Sequence, residues 1–313
     1  MKISVIIVTR NRKEDLKVTI PGYLKQTYKN KEIIVIDNQS TDGTKEFINE
    51  FYPDIKYLWL PDNFDIKAIN IGIEMSTGDI IWRTDSDSHP EDETAFEEVV
   101  KIFQQQSHID IIATENIEVK QGYQPWDWYP LKIDKQNIPP DGFKANFFPG
   151  TGAAIKRCVY DKIGGFWEFG FEELDFCTRA ILNGFNVRYF PNIRTLHYAS
   201  PRDRDNPSRW VKASKQYIRY NWRYFPMPNV FLRTFQILFF QLIWAIMNKM
   251  PISAILEGLF GMLEMVFYTY RNERMVAPAD KIKDITLGVS LAHTQFRFFK
   301  RVISNKLKQW IKS

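Results

Sequence analysis

Asp85-Ser86-Asp87 sets two carboxylates on either side of a serine, one residue after the run Asp79-Ile80-Ile81-Trp82-Arg83. Side chains at i and i+2 share a face wherever strand geometry continues. Hard divalent cations such as Mg2+ and Mn2+ want oxygen ligands. They often take only one or two carboxylates while substrate phosphates complete the shell. The triplet therefore fits a metal–phosphate site. It also fits a solvated turn, because Pro90 and Glu91-Asp92-Glu93 read as a helix start that aspartates can cap. A second acidic group, Glu172-Glu173-Leu174-Asp175, lies downstream. Carboxylates in such a run favour a helix N-terminus. Asp175 and Arg179 are spaced i, i+4, as a helical ion pair would be.

These residues need a frame. Ile3-Ser4-Val5-Ile6-Ile7-Val8 is the kind of continuous β-branched run found in a buried parallel strand. Glu32–Ile36, Ile55–Leu60 and Asp79–Arg83 read as further strands, and Lys13–Tyr28, Thr41–Phe51 and Ile66–Met75 as helices between them. Pro21 predicts a kink or break in the first helix, and Asp42 is placed to cap the second. This alternation predicts an α/β fold with an open, mostly parallel sheet and helices on both faces. Ligands bind such sheets at the carboxyl ends of the strands. Thr9-Arg10-Asn11-Arg12, Asp37-Asn38-Gln39-Ser40 and Asp85-Ser86-Asp87 all follow strands. Three loops at one sheet edge predict one cleft.

Taken in order, several motifs resemble the family 2 inverting glycosyltransferases of the GT-A fold, such as bacterial polysaccharide-building glycosyl- and rhamnosyltransferases. They are the opening Val-Ile-Ile-Val-Thr-Arg-Asn-Arg, then Val35-Ile36-Asp37-Asn38 to Gly43-Thr44, Asn70-Ile71-Gly72, Gly78-Asp79 and the Asp-x-Asp triplet. Gly164-Gly165-Phe166 and the acidic pair Glu172-Glu173 match the family's second motif, and the likeness covers residues 1 to about 200. It implies a Rossmann-like GT-A catalytic domain over 1–207, with a nucleotide-sugar half (1–110) and an acceptor half (111–207). Asp37 is expected to take the imide N–H of uracil or thymine, while Thr9 and Arg10 line base and ribose. Asp85 would contact the ribose or the metal shell, and Asp87 would bind a Mn2+ or Mg2+ ion that bridges the diphosphate of a UDP- or dTDP-sugar. Glu173 stands where the family carries its catalytic base, usually Asp, and Glu172 competes for that role. His197 matches a histidine that completes the metal site in many relatives. Lys67 and Asn70 lie on a helix that approaches the donor in such enzymes.

Other expectations come from the residues themselves. The small turn around Gly152 would let backbone approach a sugar. Trp126 and Trp128 would offer aromatic faces to an acceptor, or pack in the core. Asp175 touches substrate or pairs with Arg179, and Arg202 and Arg204 neutralise the leaving diphosphate. A catalytically silent sugar-binding module is disfavoured by the intact carboxylates. A nucleotidyltransferase is disfavoured because no Gly- and basic-rich phosphate loop follows the first strand.

Charge divides the chain. Residues 1–200 carry 23 Lys and Arg against 30 Asp and Glu; residues 201–313 carry 19 against 7. The region 208–313 therefore reads as a helical, basic, amphiphilic extension that meets something anionic, phospholipid or a lipid-linked glycan rather than nucleic acid. Its apolar stretches within 230–270, interrupted by Arg233, Gln236 and Gln241, read as too short to span a bilayer. They fit a membrane surface, a homodimer partner or the catalytic domain. The tail, Phe296–Ile303 and Lys306–Lys312, has interfacial composition. Two distant cysteines and a start without a signal-peptide pattern suggest the cytoplasm, at the inner face of the plasma membrane.

Overall fold

The computed structural model describes residues 1–200, 206–297 and 300. Two compact units are present, Met1–Arg204 and Asp205–Ser313.

The first unit is built on one sheet. Its strands are β1 (Ile3–Thr9), β2 (Lys31–Asp37), β3 (Lys56–Trp59), β4 (Ile80–Asp85), β5 (Ser88–Pro90), β6 (Ile111–Glu118), β7 (Gln124–Pro125), β8 (Phe143–Lys144), β9 (Ala153–Lys156) and β10 (Val187–His197). Its helices are α1 (Lys13–Leu24), α2 (Thr44–Phe51), α3 (Ala68–Met75), α4 (Ala95–Gln105), α5 (Arg157–Ile163) and α6 (Glu172–Leu182). The sheet order is β3-β2-β1-β4-β9-β6-β10-β5. Strands β3, β2, β1 and β4 run parallel, and β10 runs parallel to β6. Strand β9 is wedged antiparallel between β4 and β6. The longest pairings are parallel, and the sheet as a whole is mixed.

Alternation along β1 serves two layers. Ile3, Val5 and Ile7 join Leu16, Ile20 and Tyr23 of α1, Ile48 of α2 and Phe96 of α4 in one core. Ile6 points the other way, with Ile36, against Gly72 of α3, where a Cβ would lie 3.1 Å from Ile36 and closer still to Ile6. Helices thus cover both faces, as the periodicity predicts. Helix α1 runs unbroken through Pro21, contrary to the expected kink. It stops at Leu24, short of Tyr28, so the proline lies in its last turn.

The second unit contains α7 (Asn206–Tyr224), α8 (Asn229–Met247), α9 (Ile252–Asn272) and α10 (Ala279–Thr286). Helix α7 packs closely on α9 because Gly258 and Gly261 lack side chains. A Cβ at Gly258 would strike the Trp210 ring, and one at Gly261 would lie 2.7 Å from Lys215. The expectation of short apolar stretches is corrected: α8 and α9, at 19 and 21 residues, are both long and apolar enough to cross a membrane. Of the polar interruptions, Arg233 and Gln241 turn inward, whereas Glu257 and Glu264 of α9 are exposed. Arg233 donates to Asn221 Oδ1 at 2.8 Å and lies 3.5 Å over the Phe225 ring, while Gln241 accepts from Ser214 at 3.0 Å. Facing outward are Phe231, Phe235, Phe239, Leu242 and Ile246 on α8, and Ile252, Leu256, Phe260, Leu263 and Phe267 on α9. Steps of three and four residues make each set one stripe.

Candidate active site

Register brings the predicted strand ends together. Thr9 lies opposite Asp37 on one side of β1, and Val8 opposite Asp85 on the other. The loops beyond are laced to each other. Asn11 N donates to Ser40 Oγ at 2.8 Å, and Thr41 N donates to Asn11 Oδ1 at 2.8 Å. Asn38 Nδ2 donates to Asn63 Oδ1 at 2.7 Å, and Asn38 Oδ1 accepts from Phe64 N at 2.7 Å. Asp37 is fully buried and accepts from Ser40 N at 2.8 Å and from the Tyr57 hydroxyl at 2.6 Å. Burial and the Asp37 carboxylate hold the Tyr57 phenol far above its ordinary range. Thr9 Oγ1 is buried with no hydrogen-bond partner among the described residues, and Arg10 follows it half-buried.

The two carboxylates of the triplet part company. Strand β4 ends at Asp85 and a turn follows, so strand geometry does not carry on to Asp87. Asp85, 46% exposed, accepts from Arg83 Nη1 at 2.9 Å. Asp87, 3% exposed, sets Oδ1 3.5 Å from His197 Nε2. Its Oδ2 accepts from Ser200 N at 2.9 Å and lies 3.4 Å from Arg12 Nη1. On its other side, His197 Nδ1 meets Glu118 Oε1 at 2.9 Å. Burial pushes Asp87 up, but His197, the Ser200 N–H and Arg12 outweigh it and hold the carboxyl below its usual range. Burial alone would push His197 down; Asp87 and Glu118 raise it to about 10.

Asp85 faces Arg83, and among the described residues no group of three His, Cys, Asp or Glu side chains is arranged to hold an ion. Asp87 and His197 still fit a divalent cation in company with a ligand. Glu118 grips Nδ1 and leaves Nε2 aimed at Asp87, which is how a carboxylate orients a metal-binding imidazole. One carboxylate and one imidazole leave positions for diphosphate oxygens.

The second acidic group opens α6. Glu173 Oε1 sits 2.9 Å from Arg83 Nη2, so Arg83 joins Glu173 to Asp85. Burial pushes Glu173 up, and Arg83 opposes this. Glu172 accepts from Gly170 N at 2.6 Å; burial, then the charge of Glu173, push it up to about 8. In the folded state Glu172 holds a proton that the unfolded chain releases above its ordinary range. Stability from this group is present at low pH and lost as pH rises toward 8. Glu172→Gln should therefore raise the melting temperature near about pH 8, with no gain near about pH 4, in thermal scans at both.

The family model for Glycosyl transferase family 2 matches residues 4–164. This chain belongs to that family. The probable glycosyltransferase YdaM of Bacillus subtilis (strain 168) is 26% identical over 220 residues, covering 61% of this chain and 49% of the relative. The Escherichia coli UDP-Glc:alpha-D-GlcNAc-diphosphoundecaprenol beta-1,3-glucosyltransferase WfaP is 34% identical over 90 residues, 28% of this chain and 36% of WfaP. The chain thus spans about half or less of these relatives. Among solved structures, the mannosyltransferase PcManGT of Pyrobaculum calidifontis, in complex with GDP-Man and Mn2+, superposes with a TM-score of 0.54 at 16% identity. The match covers 99% of this chain and 82% of PcManGT. That likeness shows the GT-A fold.

The chain places its other predicted residues unevenly. Gly152 is corrected: it is buried against Thr195 and Trp82, which leaves no room for a sugar. The small residue at the site is Gly150, whose Cβ would strike Arg83 and lie 2.7 Å from Glu173 Oε1. Asp175 forms the helical ion pair that its spacing from Arg179 predicts. It accepts from Arg179 Nε at 2.9 Å, and Arg179 donates to the carbonyls of Ile163 and Gly165 at 2.7 and 2.8 Å. Asn70 clamps the same turn, donating to Phe166 O at 2.7 Å and accepting from Phe166 N at 2.8 Å. Lys67 pairs with Glu168 at 2.7 Å. Trp126 and Trp128 both meet Phe147 edge-on, and Trp128 also meets Tyr189 at 4.7 Å. Arg202, Arg204 and most of the basic tail lie outside the described residues. Sequence reading passed over Arg83 and Glu118. A charge inside an apolar strand signals the first; only the register of β6 against β10 reveals the second.

Proposed function

We propose that the chain transfers a sugar from a UDP- or dTDP-sugar to a hydroxyl of a glycan or lipid-linked glycan, inverting the anomeric carbon with the help of a divalent metal. The observation that carries this reading is Glu173, a carboxylate pushed up by burial and set on the same guanidinium as Asp85. A proton acceptor and a donor-side group are thereby one arginine apart.

The donor lies across the strand ends, with Thr9 and Arg10 toward base and ribose and Asp85 toward the ribose. Both Asp37 oxygens are engaged, but each keeps a second lone pair, and one of these takes the imide N–H of the base. Asp87 and His197 would hold the metal, which when bound neutralises the diphosphate and improves it as a leaving group. Glu173 accepts the hydroxyl proton as the acceptor oxygen attacks the anomeric carbon, and the bond to the diphosphate oxygen breaks on the opposite face. Holding the partners in line supplies much of the rate. Trp126 and Trp128 form one wall for the acceptor, and Arg202 meets the leaving diphosphate. Residues 1–207 act as the catalytic domain, and 208–313 as a membrane-facing extension at the cytoplasmic face.

The lipid-linked acceptor is supported by WfaP, whose name specifies a diphosphoundecaprenol substrate and UDP-Glc. Turnover of a donor panel (UDP-, dTDP- and GDP-sugars) with Mn2+ tests the reading. A UDP- or dTDP-sugar should be turned over, and chelation should stop it. If no nucleotide sugar is consumed with Mn2+ present, the reading fails.

A further inference from the structure

Arg83 has no part in the steps above, yet its position is costly. Its neighbours along β4, Ile80, Ile81 and Trp82, are apolar and fully buried, and Arg83 itself is 2% exposed. A guanidinium is tolerated there only if it is well paired. Nη1 meets Asp85 Oδ1 at 2.9 Å and donates to the Gly150 carbonyl, while Nη2 meets Glu173 Oε1 at 2.9 Å. The loop is shaped around this pairing, since any side chain at Gly150 would strike Arg83 and crowd Glu173.

The geometry points to Arg83 as a positioning residue that ties Asp85 to Glu173, so that one guanidinium aligns both the donor-side carboxylate and the general base. This inference rests on the roles proposed above for Asp85 and Glu173. Holding one oxygen of Glu173 leaves the other for the acceptor proton. Lysine keeps the charge but lacks the rigid fork whose two ends meet the two carboxylates, so it no longer fixes their relative geometry.

The test measures kcat and donor KM for Arg83→Lys and Gly150→Ala, each alone and combined with Glu173→Gln. Arg83→Lys should lower kcat about 10- to 100-fold and raise donor KM about three- to tenfold. In the Glu173→Gln background its kcat loss should shrink below about threefold, because it acts through Glu173, while the KM change persists through Asp85. Gly150→Ala keeps every charge and should give the same pattern, which serves if the lysine variant does not fold. Equal kcat losses in both backgrounds, or an unmoved donor KM, would mean that Arg83 only supports the fold, and the inference falls. If Glu173→Gln alone keeps wild-type kcat, the base assignment fails and the role of Arg83 falls with it.

Discussion

Glu173→Gln should lower kcat by about two to four orders of magnitude, the span that a positioned proton acceptor contributes. The substitution is nearly isosteric. The amide oxygen can still accept from Arg83 Nη2, so the tie at 2.9 Å and the start of α6 should survive. What disappears is the basic lone pair. The melting temperature should hold and donor KM should move little, so the loss should sit in kcat. The pH profile adds a second readout. A base works deprotonated, and burial pushes Glu173 and its neighbour Glu172 up. Activity should therefore rise with pH along a limb above the ordinary carboxylate range, as a property of the coupled pair. In Glu173→Gln that limb should vanish from the residual rate. Transfer at the wild-type rate in this variant would remove Glu173 from the mechanism.

The strand ends were legible in the sequence because β-branched runs followed by polar loops place Thr9, Asp37 and Asp85 at one edge before any coordinates exist. The relation between Asp85 and Asp87 was not. It turns on where β4 stops, and the two-residue period says nothing once the strand ends. The pairing of His197 with Glu118 lies equally beyond local pattern, because a register shift between Phe190 and Arg194 decides which β6 residue His197 meets. Gly152 and Gly150 show the same limit. Both sit in one small-residue turn, and only packing tells which faces Thr195 and which faces Glu173. Insertion of β9 between β4 and β6 is what brings that turn beside Arg83. Arg83 was visible as a charge in an apolar strand, a conflict between local rule and composition that marks functional positions.

Phe235→Asp combined with Phe260→Asp should abolish binding of the chain to vesicles containing anionic phospholipid. The two stripes on α8 and α9 run the length of their helices, and their opposite faces carry the contacts to α7. An exposed apolar stripe of this kind enters the acyl chains of a bilayer while the opposite face stays on protein. Phe235 and Phe260 are 68% and 69% exposed, so neither supports the fold and both are free to enter lipid. Burying each contributes about 1.5–3 kcal/mol. Loss of both should weaken partitioning by about two to four orders of magnitude, at 1.4 kcal/mol per tenfold. The excess of 19 basic over 7 acidic residues in 201–313 adds a requirement for anionic head groups and a sensitivity to salt. Co-sedimentation with phosphatidylglycerol vesicles, compared with phosphatidylcholine alone, should show strong binding by the wild type and none by the double variant. Turnover of a soluble acceptor should be unchanged, because neither residue belongs to the sugar-transfer site. If the wild type ignores both vesicles and the variant converts a dimer to a monomer, the stripes join two copies of the chain and the membrane assignment is wrong.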